Sequence, residues 1–208
     1  MRPVLLLLIV AACKDSAEPP PAPKPDESAP AVIPETMEGW DATARTLDAT
    51  VAGCARSTPV CRQAARDAVQ AHGRALHLEF LSDPRSPNVP VPLPPRTRAL
   101  VSACDAYARL AEPGDPELPN IEMIAVHERY AYGWLDEAVR GYEEILREHR
   151  DSEAATLSVA PLLDALRRTG RAADLRRWVM SLLAATRFLA GRPALRELLE
   201  GLRDLPPP

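Results

Sequence analysis

Apolar residues recur every three or four positions along most of this chain, which is the spacing of residues on one face of an α-helix. Runs of β-branched residues that alternate with polar residues are missing from the sequence, so the pattern gives no indication of a sheet. The pattern therefore predicts an all-α fold. It predicts eight helices, at about residues 35–54, 59–80, 96–111, 121–132, 135–150, 152–169, 172–189 and 193–203.

Threonine, proline and glycine mark the ends of several predicted helices. Thr58 and Pro59 supply an N-cap and a first helical residue for the second helix. Gly133 and Gly170 lie between helices, where glycine readily adopts the left-handed backbone that ends a helix. Pro161 falls inside the sixth predicted helix, and we expect it to kink that helix or to delay its start.

Two proline-rich segments divide the chain, because proline favours extended backbone and cannot donate a backbone hydrogen bond. Residues 13–34 are predicted to be a disordered tether, and residues 82–95 an extended surface linker. The linker separates a predicted N-terminal helical hairpin, residues 35–81, from a larger helical domain, residues 96–204. The part after the tether is long enough to bury a sizeable core.

The N-terminus carries a short export motif. Arg2 precedes an apolar run that ends in Val-Ala-Ala before Cys13. This segment resembles a bacterial lipoprotein signal peptide with its lipobox. The resemblance implies that residues 1–12 are removed, that Cys13 carries acyl chains, and that the protein is exported and held at a membrane. Lys14, which follows the cysteine, implies the outer membrane under the sorting rule of enteric lipoproteins.

Two other interpretations of this N-terminus compete. One is an ordinary secretory signal that contains a chance cysteine. The other is a transmembrane helix, but such a helix needs roughly 20 apolar residues. Lys14 and Asp15 end this run well short of that length.

A repeated pattern surrounds the two inter-helix glycines, which are 37 residues apart. Gly133, Leu135, Ala138 and Tyr142 occupy glycine, aromatic, alanine and aromatic positions of the tetratricopeptide repeat, which this unit resembles. Gly170 matches in the second unit, whereas the early Trp-Leu-Gly positions of the repeat are absent from both units. The resemblance implies a short α-solenoid of helical hairpins, preceded by a further hairpin. The alternative is an irregular helical bundle.

Three cysteines remain after Cys13. Cys54 ends the first helix and Cys61 begins the second, and a short turn can bring such Cα atoms within the roughly 4.4–6.8 Å that a disulfide needs. We therefore predict a Cys54–Cys61 disulfide, with Cys104 a buried free thiol. The rival pairing joins Cys104 to one of the other two.

Motifs that carry chemistry are not evident in the sequence. The order Cys54, Cys61, His72, His77 lacks the spacing of a zinc finger, and no histidine lies four positions after His127. A phosphate-binding glycine loop and a nucleophile elbow are also missing from the sequence. The net charge of −4 does not indicate a nucleic-acid partner. We expect no metal, no cofactor, no small-molecule substrate and no enzymatic activity.

Two sets of residues are candidates for partner binding. Five arginines surround the Gly170 turn: Arg167, Arg168, Arg171, Arg176 and Arg177. They form either a docking patch for an acidic partner or anionic lipid, or a solvated face near helix ends that favours cations. Tyr130 and Trp134, near the Gly133 turn, either belong to the core or anchor a partner, as such side chains often do.

These observations together predict a lipid-anchored, periplasm-facing interaction or scaffold module of the bacterial cell envelope, bound to an unidentified envelope protein. Arrays of helical hairpins present concave surfaces that bind peptides or protein faces, which is the basis of this prediction. The alternatives are a structural or self-associating envelope lipoprotein and an unrecognised enzyme.

Overall fold

The computed structural model describes residues 36–80 and 90–203. Within these residues the chain forms eight α-helices and no strand, so the predicted all-α fold is confirmed. The predicted signal peptide, Cys13, the tether and most of the linker lie outside the described residues. The helices are α1 (Met37–Ala52), α2 (Pro59–Phe80), α3 (Pro95–Leu110), α4 (Leu118–Ala131), α5 (Leu135–Glu148), α6 (Glu153–Arg168), α7 (Ala172–Ala184) and α8 (Pro193–Arg203).

Side-chain caps set the starts of three helices. The Oγ1 atom of Thr36 accepts a hydrogen bond from the amide of Gly39 at 3.2 Å, before α1. Thr58 caps α2 in the same way, and Ser152 caps α6. Each cap satisfies an amide of the first turn, which has no partner within its helix. The predicted start of α2 at Thr58 and Pro59 is therefore confirmed.

Successive helices pack against one another along the chain, and α4 also packs against α6, two helices further on. This arrangement of stacked helical hairpins is that of an α-solenoid-like fold. One core joins the predicted N-terminal hairpin to the predicted larger domain, because α2 and α3 pack along each other and share buried residues with α4. Members of this shared core are Ala65, Val69, Leu76, Leu100, Cys104, Tyr107, Ile121 and Ala125.

The two inter-helix glycines end their helices with the same backbone geometry. Gly133 has φ 78° and Gly170 has φ 68°, both in the left-handed region that favours glycine. After Gly133, the amide of Trp134 donates to the carbonyl of Arg129 at 2.9 Å. The equivalent bond after Gly170 is also 2.9 Å long. These bonds are those of the Schellman motif, which satisfies free carbonyls at a helix end.

The residues that carry the repeat pattern lie in the core of the α4–α5 hairpin. Ala138 and Tyr142 are fully buried, and Leu135 is 8% exposed. The small side chain of Ala138 and the ring of Tyr142 lie on α5, one turn apart, so that both contribute to one face of the helix.

Two predicted boundaries, the start of α4 and the end of α7, differ most from the structure. α4 begins at Leu118 rather than Ile121, because Pro119 takes its second position, where an amide hydrogen is not needed. Pro161 lies inside α6, whose start it does not delay. α7 ends at Ala184 rather than Leu189. The turn that follows buries both Phe188 and Leu189.

Candidate functional site

A cluster of polar and aromatic side chains lies where α4 packs against α6. The hydroxyl of Tyr130 on α4 donates to Oδ2 of Asp164 on α6 at 2.6 Å. Nη2 of Arg167 donates to Oδ1 of the same carboxylate at 2.8 Å, and Arg168 lies 3.7 Å from it. The guanidinium of Arg168 also lies 5.6 Å from the centre of the Tyr130 ring, within the range of a cation–π contact. Asp164 thus joins Tyr130 to both arginines.

The aromatic part of this cluster extends from α4 to α5. The rings of Tyr130 and Tyr142 meet edge to face with their centres 6.2 Å apart. Nδ1 of His127 lies 3.1 Å from the hydroxyl of Tyr142, and its ring lies 5.8 Å from that of Tyr130. Tyr142 is fully buried, whereas His127 and Tyr130 are half-buried. The partly exposed members therefore give this face a polar and aromatic character.

Burial and hydrogen bonding fix the protonation states of the cluster. Burial, together with the Asp164 carboxylate, raises the pKa of Tyr130 to about 12. Burial works against ionisation of Asp164 as well, but hydrogen bonds from Tyr130 and Arg167 outweigh it and lower the pKa of this carboxyl. Burial also raises the pKa of Tyr142. At neutral pH both tyrosines are therefore neutral, and Asp164 is an ionised acceptor.

The remaining arginines of the predicted patch lie around a second carboxylate. Asp174 accepts from Arg171 at 2.7 Å and from Arg177 at 2.8 Å, and the hydrogen bond from Arg171 lowers the pKa of Asp174. Arg176 is exposed. The five arginines thus do not converge on one site, and four of them have a carboxylate partner within the chain. An acidic partner would have to compete with Asp164 and Asp174 for them.

Trp134 holds the end of the proline-rich linker. Its side chain is 37% exposed, and its Nε1 atom donates to the carbonyl of Val91 at 2.6 Å. The amide of Val91 in turn donates to the carbonyl of Tyr132 at 3.1 Å. Both backbone groups of Val91 are therefore bound at the Gly133 turn.

The cysteines are placed as the sequence predicts. Cys54 and Cys61 form a disulfide, with their Cα atoms 6.0 Å apart. The structure therefore does not contain the rival pairing with Cys104, which is a free cysteine and is 2% exposed. Burial raises the pKa of the Cys104 thiol, so that it remains protonated at neutral pH.

Two carboxylates of α1 make contacts with a histidine and an arginine of other helices that the sequence patterns do not indicate. Nε2 of His72 lies 2.8 Å from Oδ2 of Asp48, and Arg96 binds Asp41 with a bidentate contact of 2.6 to 3.1 Å. The hydrogen bond from Arg96 lowers the pKa of Asp41 despite partial burial. These pairs tie α1 to α2 and α3, which is a structural role.

The described residues contain no group of three histidine, cysteine, aspartate or glutamate side chains that could hold a metal ion. Over the same residues, none of the helices combines the length and apolarity that crossing a membrane requires.

No protein-family model, curated protein or solved structure matches this chain. The class of the protein therefore rests on its fold, which is an all-helical, α-solenoid-like stack of hairpins. The site features at the α4–α6 face are ion pairs within α6, together with hydrogen bonds and ring contacts that join α4 to α5 and α6.

Proposed function

We propose that this protein is a lipid-anchored interaction module of the bacterial cell envelope, which faces the periplasm and holds another envelope protein. The observation that carries the proposal is the side-by-side packing of α4 and α6 within a stack of hairpins. Such stacks present extended surfaces that suit the binding of a peptide or a protein face. Tyr130 and Arg168 lie on this surface, and side chains of these types often dominate protein interfaces.

The protonation states at this face support binding rather than catalysis. A nucleophile must be activated by a lowered pKa or by an adjacent base. Tyr130 and Cys104 instead have raised pKa values, mainly because they are buried. Asp164 is occupied by hydrogen bonds from Tyr130 and Arg167. These groups therefore serve better as fixed contacts than as acids, bases or nucleophiles.

The anchor part of the proposal rests on the lipobox-like segment that ends at Cys13 and on the proline-rich residues after it. Two or more acyl chains give stable membrane attachment. A Cys13→Ala variant should therefore leave the membrane fraction and appear in the soluble fraction or as unprocessed precursor. Fractionation of the host envelope measures this. A variant that is processed and still sediments with membranes as the wild type does contradicts acylation at Cys13.

Site-specific photo-crosslinking in envelopes tests the binding surface. Ala160 is exposed on α6, one turn before Asp164 and on the same helix face. A photoreactive residue at Ala160 should crosslink to a distinct protein of defined mass. The matched control is the same residue at Gln70, which is exposed on α2 and outside the α4–α6 face. Equal crosslinking from both positions, or none from Ala160, contradicts a binding role for this face.

A second candidate function, self-association, is supported by exposed apolar side chains on the last two helices. Met180 on α7 is 52% exposed and Leu198 on α8 is 41% exposed. Terminal units of helical arrays generally carry a polar outer face, so apolar residues there suit contact with a second copy. Sedimentation of the purified full chain distinguishes the two functions, because a monomer at high concentration contradicts self-association.

A further inference from the structure

A groove with a volume of about 480 Å³ forms a second surface feature, and neither Tyr130 nor Asp164 lines it. It is lined by residues of α3, α4 and α5, so that α4 forms its base and the flanking helices form its walls. Its chemistry differs from that of the α4–α6 face, because an apolar floor is combined with a charged rim.

The floor of the groove is made of small and aliphatic side chains. Ala125 and Val126 of α4 and Ile145 of α5 line it and are almost fully buried. Gly141 of α5 adds no side chain, and a Cβ atom there would lie 3.1 Å from Cγ1 of Val126 and closer still to Cγ2. The two helices therefore approach each other closely, and the floor is a tightly packed aliphatic surface of which only small areas are exposed.

The rim of the groove carries more carboxylates than guanidinium groups. Its two arginines are already paired, Arg129 with Asp105 at 3.4 Å and Arg140 with Glu137 at 3.6 Å. Two further carboxylates, those of Glu122 and Glu144, also line the groove. The six charged residues of the rim therefore give the groove a net negative charge.

Glu122 and Glu144, the two carboxylates of the rim that do not pair with its arginines, differ in their surroundings. Glu122 lies 3.0 Å from Nε2 of His149, whereas the side chain of Glu144 is exposed and has no hydrogen bond or ion pair with any described residue. Burial raises the pKa of Glu122, and the nearby carboxylates of Glu144 and Glu148 raise it further against the effect of His149. Glu144, which is exposed and close to Glu122, is therefore the carboxylate of the rim that is available to a cation from outside.

We propose that this groove binds a basic segment of a partner protein, with aliphatic stems of lysine or arginine on the floor and cationic heads at Glu144 and Glu122. Such side chains bury their methylene stems on apolar surface while the charged head stays at a polar edge. A purely apolar occupant matches only the floor, and an acidic occupant matches neither the floor nor the rim. This inference rests on the proposed binding function and adds to it the chemistry of the partner.

Fluorescence anisotropy with the purified full chain in nonionic detergent tests the proposal. The probe is a labelled lysine decamer, and a decamer of Nε-acetyl-lysine keeps the stem but removes the charge. A decamer of 2,4-diaminobutyrate keeps the charge but shortens each stem by two methylenes. The lysine decamer should bind roughly tenfold more tightly than the diaminobutyrate decamer, because each buried methylene favours binding. The acetylated decamer should not bind measurably.

Two variants test whether the decamer binds in the groove. Glu144→Lys should weaken binding of the lysine decamer about tenfold, because it replaces an attractive charge with a repulsive one. The matched control Glu197→Lys changes the net charge equally on the exposed side of α8 and should have little effect. Ala108→Leu, on the α3 wall, should weaken binding by filling the groove.

Three outcomes would overturn the proposal. Equal binding of the lysine and diaminobutyrate decamers would show a general charge effect without contact at the floor. An equal effect of Glu144→Lys and Glu197→Lys would place the binding elsewhere. A dimer of the full chain that Glu144→Lys dissociates would make a second copy the occupant. These results do not depend on the crosslinking at Ala160. The proposal for the groove and the proposal for the α4–α6 face can therefore be refuted separately.

Discussion

Gly141→Ala is the substitution that most directly tests the close packing of α4 against α5. An alanine normally stabilises a helix interior by about 1 kcal/mol relative to glycine. At this position the added Cβ would lie 3.1 Å from Cγ1 of Val126 and closer still to Cγ2, so that both methyl groups are in the way. Val126 is 6% exposed, and a valine in a helix has one strongly preferred rotamer, so it cannot easily turn aside.

The overpacking should outweigh the gain in helix propensity. Insertion of a methyl group into a packed core typically costs about 1–3 kcal/mol, and more where both neighbouring helices must separate. We therefore expect Gly141→Ala to lower the free energy of unfolding by about 1–2 kcal/mol. For a chain of this size, such a change lowers Tm by about 4 °C. Thermal unfolding followed by far-ultraviolet circular dichroism measures the shift.

Gly73→Ala is the matched control, because Gly73 lies inside α2 and a Cβ atom there would meet nothing within 4 Å. This variant should raise Tm by a few degrees through helix propensity alone. In a Val126→Ala background, Gly141→Ala should lose most of its penalty, which a double-mutant cycle detects as coupling. A Gly141→Ala protein that is stabilised as much as Gly73→Ala would refute the close approach of α4 and α5.

Two further predictions concern the disulfide and the α4–α6 cluster. Replacement of Cys54 and Cys61 by alanine should lower the free energy of unfolding by about 2.5 kcal/mol, because the disulfide removes the entropy of an open eight-residue loop from the unfolded chain. Urea denaturation measures this change. Asp164→Asn should lower the pKa of Tyr130 from about 12 towards its ordinary value, although burial still raises it, as measured by tyrosinate absorbance. The variant should also lose less stability in acid. The pKa of Asp164 is lowered in the folded protein, so its ionised carboxylate stabilises the wild type at pH values above the ordinary aspartate pKa. This contribution disappears as the pH falls, and the variant does not have it to lose.

Each of these predictions has an internal control. A reductant should destabilise the wild type as the double alanine variant is destabilised, and it should leave that variant unchanged. A variant as stable as the oxidised wild type would contradict the estimate from loop closure. For the tyrosine, the spectrum of Tyr130→Phe identifies which titration belongs to Tyr130. An unchanged titration of Tyr130 in Asp164→Asn would show that the carboxylate does not affect it.

The helical fold could be predicted because its determinants are local. Periodic apolar positions define the helices, and Thr58 and Gly133 mark two of their ends with side-chain and backbone chemistry that needs no tertiary contact. The end of α7 could not be found in this way. Phe188 and Leu189 continue the apolar pattern, but the turn that buries both of them depends on the packing of α8 against α7.

The candidate sites differ in the same way, because some of their contacts follow from local sequence spacing and others join residues that are far apart in the chain. The pairing of Asp164 with Arg167 and Arg168 follows from spacings of three and four residues, which place these side chains on one helix face. The sequence therefore contained a signal that these arginines are neutralised. The contact of Trp134 with Val91 spans 43 residues, and no local pattern indicates it. The groove likewise requires the relative positions of three helices.

The two sides of α4 should respond differently to salt. On the α6 side, Asp164 is already bound by Tyr130 and Arg167, so a partner gains little from charge there and must rely on shape and apolar contact. On the groove side, Glu144 is exposed and is not paired with any described residue, so its charge is available to a partner. Added salt screens exposed charges. A partner held in the groove should therefore dissociate as salt rises, whereas crosslinking from Ala160 on the other face should persist.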